Sequence, residues 1–429
     1  MDDCSQFKSK KTKPEIGFIK AYLNKILTSI KFNKFKFSRE SNIIDIKSIN
    51  EDNTNQINFK QKIIKKRNEG VDLIRIISMV GIVYSHILNQ GRGIYKYHKY
   101  KSEISSSETY FFWHNNAFAL ISGVIGYKST KYSNLLYLWL CVVFYSLTIR
   151  YFYLKVKKNG KVKGELYEEF FPVIFCRYWY FSSYFGMFIF LPLVNRGIQY
   201  LRKVEFKLLI MSILSIFVFW HNCINSKSDI FRMKGGCSTI WLLCLYIIGA
   251  YIGKFNIEYA GIKKYIINSI NFLIFLFLCF LYNKFRGYII SDFNGNYKII
   301  LGNFIKKLMS INLNSVIRTA QALLIILFFF NLKYNKYLSK FITFLGPLTF
   351  GVYLIHINQN VNINYLQNLL DRESYNLTVI EVILMLILRS IILFFECIII
   401  EYVRHLLFTI LKIRNICILI EKNIFKTFQ

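Results

Sequence analysis

The feature that most constrains this chain is a series of ten apolar runs, most of them close to the roughly 20 residues that a helix needs to cross a bilayer. They begin after Arg67 and are separated by polar, lysine-rich gaps. The runs cover approximately 71–88, 110–127, 134–154, 178–194, 206–224, 238–253, 265–282, 315–332, 341–356 and 378–400. This pattern predicts an all-α polytopic integral membrane bundle of about ten transmembrane helices. It excludes a soluble enzyme, a disordered chain and a disulfide-stapled secreted module.

Composition and charge indicate a lipid environment. The 429 residues are 54% hydrophobic and 19% charged, whereas soluble domains carry roughly 45–50% apolar and about 25% charged residues. The formal net charge is +32, and a chain this basic could bind nucleic acid. Its basic residues lie in the gaps between the apolar runs, however, which suits loops that face anionic headgroups. The sequence therefore predicts the lipid bilayer as a partner and no nucleic acid.

The chain divides into three parts by composition. Residues 1–66 form a basic, largely disordered N-terminal extension, in which helical spacing of apolar residues over 14–32 predicts an amphipathic helix on a membrane surface. A tail without function is an equally open interpretation. Residues 67–402 form the transmembrane domain, and residues 403–429 a basic C-terminal tail.

The distribution of lysine and arginine predicts the orientation. Ten spans with both termini in the cytoplasm place most of the basic loops inside, as the positive-inside rule requires. The loop at 155–163, with five lysines, disagrees. The host membrane is the plasma membrane if the source is bacterial and a secretory membrane if it is eukaryotic.

The first run carries three ionisable residues, which are costly in a membrane and are therefore functional candidates. Arg75 and His86 are eleven residues apart, about 20° beyond three full helical turns, so both project from one helix face about 16 Å apart along the axis. Asp72 lies one turn before Arg75 and can pair with it. An interfacial charge pair and a histidine that ends the span are the structural alternative.

Three further histidines, His114, His221 and His356, lie at the same end of the predicted bundle as His86. Imidazole accepts a proton near neutral pH, and an arginine fork suits phosphate or another anion. A base at the outer end and an anion anchor at the inner end are consistent with a cytoplasmic acyl donor and an outer acceptor hydroxyl. No cysteine or histidine spacing typical of a metal site occurs, so no metal is predicted.

Four stretches resemble the acyltransferase 3 family of membrane-embedded O-acyltransferases, and they occur in the family's order. Residues 72–78 followed by Ser85 and His86 resemble its opening span, and residues 116–123 its Ser-Gly segment. The aromatic stretch 178–181 is similar to the start of its fourth span, and residues 345–356 to its ending span. The branch that the chain resembles most acetylates surface polysaccharides.

The resemblance implies transfer of an acyl group from acyl-CoA, most simply acetyl-CoA, to a hydroxyl of a cell-surface or secretory-pathway carbohydrate. It implies no permanently bound cofactor. His86 is then the essential histidine, to which we assign the role of general base, and Arg75 its essential partner. His356 is either catalytic, or orients the acceptor, or ends a helix. Both direct transfer and an acyl-enzyme intermediate are open.

The resemblance adds further candidates with weaker support. The possible catalytic or acceptor-binding residues besides His356 are His114, Asn116, Ser122, Trp179 and Tyr180. The two aromatic residues are more typical of an interfacial belt than of a platform that stacks on a sugar. Family members often carry an Arg-x-x-Arg pair after the second span, where this chain has Lys128 and Lys131. These lysines, with Asp72 and Arg75, are the predicted donor-binding residues.

Two other classes remain open on the sequence alone. A multi-span transporter or flippase for a glycan or a lipid-linked sugar could use the same intramembrane charges, although no internal repeat typical of transporters is evident. A membrane protein that has lost catalysis is the third. The oligomeric state is left open.

Overall fold

The fold was examined in a computed structural model, which describes residues 67–156, 162–224, 229–255, 261–290, 310, 312–370 and 377–427. The contacts divide the chain after Arg67 into two units, of which the second is Asn68–Gln429. The predicted amphipathic helix at 14–32 lies outside the described residues.

The described chain is helical and contains no strand. Its principal helices are α1 (Glu69–Asn89), α2 (His114–Gly126), α3 (Ser133–Tyr151), α4 (Trp179–Tyr200), α5 (Lys203–Ile213), α6 (Thr239–Phe255), α7 (Gly261–Ile290), α8 (Val316–Phe330), α9 (Lys336–Leu345), α10 (Thr349–His356), α11 (Val379–Ile410) and α12 (Ile413–Thr427). Shorter helical segments between them are Gly93–Lys96, His98–Tyr100, Lys101–Glu108, Thr109–Phe111, Phe152–Val156, Leu166–Phe170, Leu214–Ile224, Lys234–Gly236, Gly346–Leu348, Gln359–Asn364 and Leu366–Asn368.

The length and composition of the helices support the prediction of a multi-span membrane protein. Each of the ten predicted spans contains helix, and six helical stretches in the described residues are long and apolar enough to cross a membrane. These six are Glu69–Asn89, Ser133–Lys155, Lys203–Asn222, Ile262–Lys284, Lys336–His356 and Val379–Ile410. Helices α6 and α8 are apolar but shorter. The count of about ten stays a prediction.

The last predicted span ends too early. Helix α11 continues past residue 400 to Ile410 and is followed by α12, so the basic tail at 403–429 is largely helical in the described residues. The hydropathy pattern missed this extension because Glu401 and Arg404 interrupt the apolar run. In the structure these two side chains are buried and paired with each other, which removes much of the cost of charge inside the helix.

Helices α2 and α6 approach each other through small residues. A Cβ atom added at Gly249 would overlap the Leu120 carbonyl oxygen, and one at Gly253 would overlap the Val124 carbonyl oxygen. Gly123 has the same relationship to the Tyr246 carbonyl. The Gly249-x-x-x-Gly253 spacing is typical of membrane helices whose backbones pack closely, so these glycines set the distance between α2 and α6.

Helix α1 lies at the centre of the bundle. It contacts α2, α8, α9, α10 and α11, and most of its side chains are buried. Its first turn is capped by Asn68, whose side chain accepts from the Val71 N–H and donates to the Phe330 carbonyl at 3.2 Å. The residues that α1 carries are therefore presented to several other helices.

Candidate active site

The structure brings two of the predicted site residues into direct contact. His86, near the end of α1, and His356, the last residue of α10, are hydrogen-bonded through His86 Nδ1 and His356 Nε2 at 2.9 Å. The two rings lie 5.0 Å apart between centroids at an angle of 37°. His356 is fully buried, and His86 is partly exposed. The fully buried His356 thus supports the partly exposed His86, which a substrate can reach.

The hydrogen bonds fix which nitrogen of each ring carries a proton. His356 Nδ1 lies 2.6 Å from the Val352 carbonyl oxygen, which can only accept, so His356 Nδ1 carries the hydrogen. Neutral His356 then accepts at Nε2 from the Nδ1–H of His86. By the same rule Nε2 of neutral His86 carries no hydrogen. Within the described part of the chain no hydrogen bond engages that atom, which leaves a lone pair for a proton from outside.

Aromatic side chains hold His356 in place. Tyr353, one turn before His356, packs on Tyr178 at 6.0 Å and on Tyr180 at 6.4 Å between ring centroids. The Tyr178 hydroxyl accepts from the Asn358 amide at 2.9 Å. These contacts join α10 and the chain after it to the start of α4. The predicted candidate Tyr180 therefore contacts the helix that ends in His356.

The other predicted histidines are placed differently. His114 begins α2 and lies near the pair, with its Nε2 atom 3.5 Å from Ser85 Oγ, a long contact. His221 instead faces Asp229 at 3.8 Å. Of the four histidines predicted to share one end of the bundle, His86 and His356 are hydrogen-bonded to each other. His114 lies next to them, and His221 faces Asp229 instead.

Arg75 and Asp72 form the predicted ion pair, with Arg75 Nη1 and Asp72 Oδ1 2.9 Å apart. The Asp72 side chain is 2% exposed and that of Arg75 is 21% exposed. Asp72 lies against Gly346, where a Cβ would come within 2.7 Å of Oδ1. The Asp72 carboxylate is thus buried and paired with Arg75. It positions the Arg75 side chain, which itself remains partly exposed.

A row of partly exposed polar and aromatic side chains follows α2 and α4 beside Arg75. The Tyr184 hydroxyl lies close to Ser122 and to the Arg75 charge, and Tyr180 lies one turn before Tyr184 and donates to the Asn115 carbonyl at 3.2 Å. Ser122 itself donates to the Phe118 carbonyl at 2.8 Å. On α1, by contrast, the residues between Arg75 and His86 on the same face are buried.

Asn116 and Trp179 are engaged in packing. The Asn116 amide donates to the Leu313 carbonyl at 2.7 Å and accepts from the Trp241 indole at 3.1 Å, which links α2 to α6 and to the segment before α8. Trp179 is partly exposed and packs edge-on against Tyr180 at 5.4 Å. Their assignment to acceptor binding stays a prediction.

The two predicted donor-binding lysines lie on the exposed surface of the protein. Lys128 is exposed and lies over the Tyr127 ring at 5.5 Å. Lys131 is exposed and lines a groove whose wall contains neither Asp72 nor Arg75. Their role in donor binding stays a prediction.

Sequence reasoning missed two groups that shape the site. Tyr184 gave no signal beyond aromatic content, and its i, i+4 spacing from Tyr180 is the only pattern that could have indicated it. The second is Glu401, which accepts from the Tyr145 hydroxyl at 2.6 Å and lies against Gly351 of α10. This buried carboxylate fixes the helix that ends in His356.

The apolar helices and the hydrogen-bonded histidine pair define a helical membrane protein with a candidate proton-transfer site. The profile of the acyltransferase 3 family, described as an acyltransferase domain, matches residues 68–401, so this chain belongs to that family. The match runs from the cap of α1 to the buried Glu401 and contains both histidines of the pair. No curated protein and no solved structure gives a significant match.

Proposed function

We propose that this protein transfers an acyl group, acetyl in the simplest case, from cytoplasmic acyl-CoA to a hydroxyl of a carbohydrate on the opposite side of the membrane. The observation that carries the proposal is the tautomer order of the His86–His356 pair, which leaves His86 Nε2 free to accept a proton. Membership of an acyltransferase family gives the reaction class in which such a base is needed.

In the proposed reaction His86 acts as the general base. Its Nε2 takes the proton of the acceptor hydroxyl while the hydroxyl oxygen attacks the thioester carbonyl carbon. The tetrahedral intermediate then breaks its carbon–sulfur bond, and the departing CoA sulfur receives the proton from His86. His356 Nε2 accepts from His86 Nδ1–H throughout and so steadies the imidazolium that forms between the two steps.

Arg75 is proposed to hold an anionic group or the carbonyl oxygen of the donor. Its position on α1 places it about 16 Å from His86 along the helix axis, so the donor has to extend between them. The residues of α1 between the two on the same helix face, Ser78, Met79 and Ile82, are buried. The accessible side chains Ser122, Tyr180 and Tyr184 therefore mark the proposed path of the donor along α2 and α4.

Both termini are proposed to lie in the cytoplasm. In that orientation the Arg75 end of α1 faces the side where acyl-CoA is available, and the His86 end faces the acceptor. The exposed lysines Lys131, Lys336 and Lys340 then lie inside, in accord with the positive-inside rule.

The proposal is tested on the carbohydrate of cells that contain or lack the protein. Mass spectrometry of surface or secreted glycan is expected to detect ester-linked acyl groups only when the wild-type protein is present, with the amount of exported glycan unchanged. Glycan that is fully acylated without the protein contradicts the proposal. Loss of glycan export, with normal acylation of what remains, indicates a transporter instead.

A further inference from the structure

The C-terminal helix α12 forms one wall of a basic groove with a volume of about 790 Å³. The opposite walls come from the segment before α3 and from the second half of α4. The lining residues are Thr130, Lys131, Tyr132, Pro192, Leu193, Arg196, Ile418, Glu421, Lys422, Phe425 and Lys426. Four of these side chains are cationic and one is anionic, so the groove attracts anions.

Helix α12 is held in place by specific contacts. Glu421 Oε1 accepts from the Tyr132 N–H at 2.5 Å, and the rings of Tyr132 and Phe425 lie 6.5 Å apart. The Cys417 side chain is fully buried, and the Arg414 guanidinium lies 5.9 Å from the Tyr137 ring centroid. Glu421 keeps its negative charge while it accepts this hydrogen bond, and the four cationic side chains leave the groove lining with a net charge of +3.

The surroundings of the groove are apolar. Leu193 in its wall is 74% exposed, and Ile189 one turn earlier on α4 is 49% exposed. On α12, Leu419 and Ile424 are also exposed. Apolar side chains exposed in this way suit contact with lipid acyl chains. Basic side chains next to such an apolar surface are the arrangement that binds anionic headgroups.

We infer that this groove binds the phosphate group of an anionic phospholipid, with Lys131, Arg196, Lys422 and Lys426 around the headgroup and the exposed leucine and isoleucine side chains against its acyl chains. Helix α12 lies beyond the residues matched by the family profile. The groove is therefore built partly from a segment outside the acyltransferase domain. Its occupancy does not depend on the acyl transfer proposed above.

The test uses the purified full-length protein in neutral detergent. Its apparent Tm is measured while phosphatidylglycerol or phosphatidylcholine is added, since a ligand that binds the folded state raises Tm. Wild-type protein is expected to be stabilised by phosphatidylglycerol and not by phosphatidylcholine. In Lys422→Glu/Lys426→Glu the apparent affinity for phosphatidylglycerol is expected to fall by roughly 30-fold. Lys336→Glu/Lys340→Glu, the same charge change on exposed residues of α9, is expected to keep the wild-type response.

The phosphates of acyl-CoA carry the same chemistry, and a parallel titration with CoA and dephospho-CoA separates the two sources. A CoA response that depends on Lys422 and Lys426, with an unaltered phosphatidylglycerol response, overturns the lipid assignment. An identical phosphatidylglycerol response in both double variants overturns it as well. If the charge reversal lowers the Tm without ligand, Lys422→Gln/Lys426→Gln repeats the comparison with the same expected loss of response.

Discussion

His86 and His356, which are 270 positions apart in the chain, share a hydrogen bond of 2.9 Å between Nδ1 and Nε2. This bond ties the end of α1 to the end of α10. With the bond from His356 to the Val352 carbonyl, it makes a chain of donors and acceptors whose outer end is His86 Nε2. The proposed activity depends on that order.

His356 is a positioning residue in this account, and its acceptor atom is what matters. In His356→Leu the His86 imidazolium loses a hydrogen bond to a charged group, worth about 1.5–3 kcal/mol, so kcat is expected to fall about 10- to 100-fold. His356→Gln keeps an acceptor oxygen near the Nε2 position and is expected to recover part of the rate.

Steady-state kinetics of both His356 variants check this expectation. The KM values for donor and acceptor are expected to stay near wild type, because His356 is buried behind His86. A His356→Leu variant with wild-type kcat, or with a loss confined to KM, contradicts the positioning role.

Arg75 is expected to act on the donor. Arg75→Lys keeps the positive charge beside Asp72 but lacks the planar fork, so the KM for acyl-CoA is expected to rise about tenfold while the acceptor KM stays unchanged. A change confined to the acceptor KM would assign Arg75 to the other substrate.

Asp72→Asn tests the ion pair separately from catalysis. It removes the carboxylate next to Arg75, and the unfolding free energy is expected to fall by at least about 1 kcal/mol, below the 3–5 kcal/mol of a fully buried pair because Arg75 is partly exposed. Thermal unfolding measures the effect, and a Tm equal to that of the wild type contradicts it.

The sequence predicted those features of the fold and the site that depend on a single helix. The Asp72–Arg75 pair follows from one helical turn, and the apolar runs located helix in each predicted span. The contact between His86 and His356 could not be predicted from spacing, because it depends on how α1 and α10 pack. The family resemblance marked both residues separately, without indicating their bond.

Other features of the fold depend on side-chain contacts that the hydropathy pattern of the sequence does not show. The extension of α11 to Ile410 relies on the burial and pairing of Glu401 and Arg404. The closeness of Tyr184 to Arg75 depends on where α4 lies relative to α1. The α2–α6 contact is different, since the Gly249-x-x-x-Gly253 spacing was present in the sequence and could have indicated it.

The close approach of α2 and α6 gives a stability prediction. In Gly249→Val the added side chain meets the Leu120 carbonyl, and the resulting overpacking is expected to cost about 3 kcal/mol or more. Gly197→Ala is the matched control, because nothing lies within 4 Å of its added Cβ, and it is expected to gain up to about 1 kcal/mol in helix stability. Thermal unfolding of the two variants in detergent compares them, and equal Tm values would refute the packing argument.

The proposed orientation is tested by labelling single cysteines with a membrane-impermeant reagent. In a background where all nine native cysteines are replaced by serine or alanine, Lys336→Cys is expected to react only after the membrane is opened. Lys99 is exposed near the His86 end of α1, and Lys99→Cys is expected to react in intact cells. The reverse pattern would invert the topology and place His86 on the cytoplasmic side.

The most direct test of the central claim is incorporation of label from radiolabelled acetyl-CoA into the carbohydrate of membranes that contain the protein. Wild-type protein and His98→Ala, which changes an exposed histidine outside the site, are expected to incorporate label equally. His86→Ala at the same protein level is expected to incorporate at least about a hundredfold less, the usual contribution of a general base. Equal incorporation by His86→Ala and wild-type protein would contradict the assignment of His86 as the base.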